Sequence, residues 1–401
     1  MNTPKLRSET PGCAKVIHFN NAGAALMPQA VIDAQQTYLD YEIYHGGYEA
    51  VDHFRTQLDA TYQRVAQLIG AQPTEIALLE SATTAWAKAF FSLHFQPGDR
   101  IITAKTEYAS NYINYLHLAK SHQIKIEVVP SDNTGQISIP ALEKLLQEDE
   151  HKTIKLISIT HIPTNGGLVN PAEEVGQLAK KHKVLYLLDA CQSVGQMPID
   201  VQKIGCDMLS ATGRKYLRAP RGTGFLYVRT GLLNTIEPRE IDMCAAEWTT
   251  AQTYALRSDA RKFEYYEYNP ANRMGFSAAV QYAQDLGLDN IWQRIQHLGK
   301  QLRAQLAEIP NVTVHDLGQT KSGIVSFGVD GSKAEFIKQK LREESINVSL
   351  IMPSGTLLDM QERGLDQLVR ASVHYYNTEK EIDQLCGVIK KIILVHTRIT
   401  H

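Results

Sequence analysis

Lys215 stands just past a short apolar run at 207–211, in the sequence Thr212-Gly213-Arg214-Lys215, and a Gly-rich turn at 218–224 follows it. An ammonium set beside Arg214 in a cationic loop is disfavoured by like charge, and a lowered pKa frees the amine to attack a carbonyl carbon. Taken alone, the same residues equally describe a solvated basic loop. Thr212 and Arg214 add a hydroxyl and a guanidinium fork, donors suited to phosphate. Asp189 ends another apolar run, 184–188, and a carboxylate there needs a partner because a lone buried charge is costly. It is either the partner of a bound cation or the cap of the next helix. Gln192, three residues on, offers a hydrogen bond to a nearby oxygen. A third candidate, Glu80-Ser81-Ala82-Thr83-Thr84-Ala85-Trp86, opens a helix after a strand. Its free N–H groups and helix dipole suit an anion, and a plain N-cap has the same sequence.

These positions depend on strands to carry them. Short apolar runs at 76–79, 100–104, 124–129, 154–159, 184–188, 207–211 and 224–228 alternate with amphipathic stretches such as 171–182. That alternation predicts an α/β fold with a mainly parallel, seven-stranded sheet covered by helices, and ligands in such sheets bind outside the carboxyl ends of the strands. After Asn269 the pattern changes to a long helical stretch over 273–309, strands near 312–314, 322–327 and 347–350, and a closing helix over 379–393. The expected division is an N-terminal segment, 1–24, that joins the smaller part; a large α/β domain, 25–270; and a small C-terminal α+β domain, 271–401.

Composition narrows the function. Across 401 residues, 41 Lys plus Arg meet 43 Asp plus Glu, so there is no basic field to attract nucleic acid or an anionic membrane. Five cysteines, Cys13, Cys191, Cys206, Cys244 and Cys386, form neither CxxC pairs nor Cys/His clusters, which argues against a disulfide framework or a metal centre. The N-terminal residues lack the apolar core of a signal peptide, and no run reaches the ~18 apolar residues of a membrane span. A cytoplasmic protein with a small-molecule partner is expected. No GxGxxG turn follows an early strand, which excludes a simple NAD-binding protein.

Taken together, an anion-binding helix start, a strand-end Asp with Gln at +3, and a strand-end Lys in Thr212-Gly213-Arg214-Lys215 resemble the fold type I pyridoxal-phosphate (PLP) enzymes. The branch is that of the class V aminotransferases and cysteine desulfurases. The resemblance runs from Asn20-Asn21-Ala22-Gly23 to the Arg370-Ala371-Ser372 motif. It implies that Lys215 carries the cofactor as a Schiff base, that Asp189 holds the pyridine nitrogen, and that Gln192 bonds the phenolic oxygen. Ala82, Thr83, Thr84, Thr164, Thr212 and Arg214 are implied as further cofactor contacts, and Asn21 and Arg370 as substrate contacts. A homodimer with active sites at its interface is implied as well.

The sequence also departs from the desulfurases. Their persulfide-forming cysteine lies shortly before the R-A-S motif, where this chain reads Leu350-Ile351-Met352-Pro353-Ser354-Gly355-Thr356-Leu357-Leu358-Asp359-Met360. Cys386 lies beyond Arg370 in an amphipathic stretch, where a buried thiol is inert. Their E-H-H-x-N pattern, which places a histidine on the cofactor ring, is Glu107-Tyr108-Ala109-Ser110-Asn111 here, so that Ala109 or Tyr108 would face the ring. Glu267 takes the place of a threonine that reaches the partner's phosphate. These features resemble the isopenicillin-N-epimerase-like proteins and the sulfoxide lyases of ergothioneine biosynthesis. The activity so implied is C–S β-elimination on a cysteine-derived amino acid, a sulfoxide among them, to pyruvate and ammonia. The alternatives are transamination or epimerisation, then desulfuration of cysteine or selenocysteine. A PLP-dependent transcription regulator would need an appended helix-turn-helix.

Overall fold

Seven short strands make the central sheet; in all but the edge strand Lys125–Val129 nearly every residue is buried, and that two-sided burial is why they read as continuous apolar runs. The computed structural model describes residues 1–399. Across the sheet the order is Ile76–Leu79, Gly224–Val228, Met208–Thr212, Leu185–Asp189, Ile154–Thr160, Arg100–Ala104, Lys125–Val129. Gly224–Val228 alone runs antiparallel to its neighbours. The expected mainly parallel seven-stranded α/β sheet is therefore present, with strand bounds within a residue of those read from the sequence.

The register brings three strand ends to one edge. Thr160 pairs with Asp189, Asp189 with Ser210, and Thr212 lies two residues further on. On the other side of Met208–Thr212, Gly224 packs so closely on the start of helix Ala82–Phe91 that a Cβ there would lie 2.9 Å from the Ser81 carbonyl carbon. A glycine at 224 thus lets the helix start close on the sheet edge.

The C-terminal part has its own four-stranded antiparallel sheet, in the order Val312–Val314, Ile324–Val329, Leu368–Ser372, Ser349–Ile351. Helices Leu288–Ala307, Ala334–Glu343 and Glu379–Ile399 accompany it. The N-terminal segment joins this part: Ile17–His18 pairs in parallel with Ile346–Asn347, and Asn20 bridges to Ser372.

Several details differ from the sequence reading. The stretch 273–309 is two helices, Pro270–Leu286 and Leu288–Ala307, parted at Gly287, whose φ of 79° ends the first. The first packs on helices Gln29–His45 and Arg55–Ile69, the second on the C-terminal helix. Leu368–Ser372, read only as a motif, is a fully buried central strand. The exposed hairpin Ala246–Thr250 and Thr253–Leu256 had no apolar alternation to reveal it. Among the described residues no helix is long and apolar enough to cross a membrane, and no group of His, Cys, Asp and Glu is arranged to hold a metal.

Candidate active site

A cavity of about 240 Å³ opens at the strand ends. Ala82, Thr83, Asp189, Gln192, Thr212, Arg214, Lys215 and Thr164 all line it, so most of the residues singled out by the sequence converge on one space. Tyr108, Thr160, Cys191 and Arg221 are also in the wall. Of the two candidates for the ring-facing position, Tyr108 lies in the wall, whereas Ala109 opens helix Ala109–His122 behind it.

Asp189 is buried, and its carboxylate accepts from the Asn111 amide at 2.9 Å and from the Cys191 N–H at 2.9 Å. It is not a helix cap: the next residues form a turn, and the carboxylate faces the cavity. Lys215 makes no side-chain hydrogen bond or ion pair among the described residues. Burial lowers its pKa, and the neighbouring Arg214 and Arg370 push the same way, against Cys191 and Asp189. That is the condition under which a lysine amine is a nucleophile.

At the helix start, Ser81 caps the Thr84 N–H at 3.1 Å, and the Ala82 and Thr83 N–H groups have no partner among the described residues. Two unpaired N–H groups at the positive end of a ten-residue helix, with Arg214 and Arg221 in the same wall, form an anion cradle. Thr84 does not share in it: its hydroxyl is spent on Glu80 at 2.9 Å, and it is absent from the cavity wall. Thr212 donates weakly to the Thr223 carbonyl at 3.3 Å, while Arg214 reaches the Gly23 carbonyl and so ties the N-terminal segment to the wall. Burial lowers the Arg214 pKa.

Gln192 is buried; its amide nitrogen donates to the Ala22 carbonyl at 3.1 Å, and its amide oxygen has no partner. An orphaned buried polar atom in a cavity wall is what a missing ligand leaves behind. The wall therefore suits a phosphorylated aromatic aldehyde: an amine for the aldehyde, a carboxylate for a ring cation, an anion cradle, and an unsatisfied amide between them.

Arg370 donates to the Thr164 carbonyl at 3.0 Å and to its hydroxyl at 2.7 Å, and Asn20 lies at 3.5 Å. It has no carboxylate partner, its Nε is buried without one, and burial brings its pKa down to about 10. An isolated buried guanidinium is a carboxylate receptor in waiting. Asn21 is not beside it. That side chain is fully buried and spent on the Ser372 and His18 carbonyls and on Tyr376, so the sequence reading corrects by one residue to Asn20.

Glu107 is the residue the sequence reading used only as part of a pattern. It is buried, and four donors surround its carboxyl. Burial pushes it up to about 7, aided by the Asp189 charge and opposed by its bonds to Thr160, Asn111 and Tyr108.

All five thiols are raised, each chiefly by burial: Cys191 to about 12, Cys386 to about 11, and Cys13, Cys206 and Cys244 in the same direction. The segment at 350–360 carries none of them. It is docked instead by the Asn165 amide on the Thr356 hydroxyl at 2.7 Å, and just beyond it Glu362 pairs with Lys105.

A family model described as aminotransferase class-V matches residues 17–385. A probable cysteine desulfurase of Pyrococcus abyssi is 29% identical over 398 residues, covering 97% of both proteins. The apo structure of a cysteine desulfurase from Thermococcus onnurineus NA1 superposes with a TM-score of 0.90 at 27% identity over 97% of each chain. A C-DES mutant with glycine covalently linked to its PLP cofactor superposes at 0.85 and 23% identity, covering 95% of this chain and 98% of that one, a likeness of fold.

Proposed function

The chain belongs to the aminotransferase class-V family and is a PLP-dependent enzyme acting on an amino acid, and from that premise we propose that it breaks the Cβ–S bond of cysteine or a cysteine-derived amino acid without passing the sulfur to a thiol of its own. The observation that carries this is the state of the thiols: all five are raised, and the segment before Arg370 has none. A thiolate is the nucleophile in sulfur transfer, so a thiol held protonated is a poor acceptor.

In this reading the Ala82 and Thr83 N–H groups with Arg214 would hold the cofactor's phosphate, Asp189 would serve the pyridine nitrogen, Gln192 the phenolic oxygen, and Lys215 would be the amine that takes the aldehyde. When bound, the cofactor supplies an electron sink for the substrate α-carbon. Arg370 grips the substrate carboxylate and, through Thr164, fixes where the α-carbon sits. The Lys215 amine, once free, would take the substrate α-proton at Nζ, and burial, which lowers its pKa, favours the free amine for that task. The Asp189 carboxylate, held by the Asn111 amide and the Cys191 N–H, would be the partner of the ring nitrogen.

The sulfur then leaves in one of two ways. The names of the relatives favour desulfuration of cysteine, better than they favour the elimination expected from the sequence: cysteine and a second thiol give alanine and that thiol's persulfide. Here the second thiol would be a small molecule or another protein. The thiol state of this chain favours elimination, in which an S-substituted cysteine and water give pyruvate, ammonia and the free thiol. Product analysis separates them: pyruvate without alanine from S-substituted cysteines and their sulfoxides supports elimination, and alanine from cysteine with an added thiol supports desulfuration. Neither product from either substrate defeats the proposal.

A further inference from the structure

Behind Asp189, on the side away from the cavity, one side-chain amide serves two carboxylates. Asn111 Nδ2 donates to Asp189 at 2.9 Å and to Glu107 Oε1 at 2.8 Å. An amide nitrogen has two hydrogens, so both are used and the rotation of the amide is fixed. Glu107 is held as firmly. Its Oε1 also accepts from the Tyr108 N–H at 2.9 Å and the Thr160 hydroxyl at 2.6 Å, and its Oε2 accepts from the Thr103 hydroxyl at 2.9 Å. Glu107 and Asn111 are both buried, and Tyr108 and Thr160 are themselves in the cavity wall. One carboxyl thus sets the backbone that presents Tyr108, the hydroxyl of Thr160 and the amide that orients Asp189.

We propose that Glu107 is a positioning residue that acts on Asp189 through the Asn111 amide, and that it does so by the placement of its acceptors and not by its charge. Three of the four donors converge on Oε1; only the Thr103 hydroxyl, which can also accept, faces Oε2. Glu107→Gln can therefore keep every contact, with its amide nitrogen turned to Thr103, while losing the charge. Glu107→Ala loses the contacts, and Asn111→Ala removes the relay alone.

The inference rests on the reading that Asp189 meets the pyridine nitrogen, and the test separates the two. Apoprotein is titrated with pyridoxal phosphate, and the pH midpoint of the bound cofactor's visible band is measured. Asp189 is the charged group facing Glu107, with the phenols of Tyr115 and Tyr186 nearby, and all three are kept in the Glu107 and Asn111 variants. Glu107→Gln is expected to bind like the parent and keep its midpoint. Glu107→Ala and Asn111→Ala are expected to bind roughly tenfold more weakly, the scale of one lost hydrogen bond to a charged group, and to shift the midpoint. If the apoprotein of Glu107→Ala does not fold, Asn111→Ala against Glu107→Gln makes the same comparison. Parent-like binding and midpoint in Asn111→Ala overturn the proposal, and so does a Glu107→Gln variant as impaired as Asn111→Ala. Asp189→Asn is the control: if it leaves the midpoint unmoved, the placement of Asp189 at the ring fails; if it moves the midpoint and Asn111→Ala does not, only the role of Glu107 fails.

Discussion

Arg370, on the strand Leu368–Ser372, holds Thr164 by both its carbonyl and its hydroxyl, at 3.0 and 2.7 Å, with its buried Nε left unpaired. The bond ties the C-terminal sheet to the segment that follows Ile154–Thr160 at the cavity, and it orients the guanidinium. Arg370→Lys keeps a charge but cannot bond Thr164 and a carboxylate at once. Steady-state kinetics should show KM for the amino acid raised by roughly tenfold or more in Arg370→Lys, the scale of one charge-assisted bond. An unchanged KM would remove Arg370 from the substrate site.

Lys215 should be the one lysine whose loss changes the protein's colour. Purified parent protein is expected to absorb in the visible, and Lys215→Ala reconstituted with pyridoxal phosphate should lose the parent's band. Spectra taken before and after borohydride reduction, followed by peptide mapping, locate the modified lysine; label on any other residue would reassign the role.

The Glu107 carboxyl predicts a pH dependence of stability. Its folded pKa, about 7, is above the ordinary 4.5, so its contribution is full below pH 4.5 and is lost as pH rises through about 7. The amount at stake is on the order of 3 kcal/mol. In thermal melts of apoprotein, the parent should therefore lose more stability between pH 5 and pH 8 than Glu107→Gln does, by roughly 3 °C. Parallel curves for the two proteins would mean that the carboxyl ionises normally.

A homodimer is the fourth expectation. Tyr44 is 82% exposed and Trp248 80%, Tyr48 and Met243 are exposed beside them in kind, and Tyr266 bonds Tyr48 next to the wall that carries Glu267. Large exposed apolar and aromatic side chains mark an interface, and two-fold dimers are the commonest assemblies. Light scattering at micromolar protein should give twice the chain mass, and Trp248→Glu with Tyr44→Glu should weaken the association. A parent that scatters as a monomer excludes it.

The strands of the central sheet were legible because burial on both faces leaves an uninterrupted apolar run, and their ends then pointed to Asp189 and Lys215. Leu368–Ser372 was hidden by Arg370 and Ser372, polar residues that a central strand tolerates only because one reaches Thr164 and the other bonds Phe19. The choice between Asn20 and Asn21 turned on a direction no spacing supplies: Asn20 bridges to Ser372, the chain turns at Asn21, and the Asn21 side chain is spent on buried partners. Thr84 was over-read because a helix start offers its hydroxyls to its own cap before any ligand. Glu107 was missed because its partners, Thr103, Asn111 and Thr160, come from three separate elements.

The central claim, Cβ–S cleavage without an enzyme-bound sulfur, is tested most directly on a chain with no thiol. Sulfur release from cysteine with an added thiol, and from S-substituted cysteines, is measured for the parent and for a variant with Cys13, Cys191, Cys206, Cys244 and Cys386 all replaced by Ala or Ser. Turnover within severalfold of the parent is expected, with no persulfide trapped on the parent by alkylation and mass spectrometry. A persulfide trapped on Cys191 or Cys386 during turnover, with release abolished by replacing that residue alone, would contradict it.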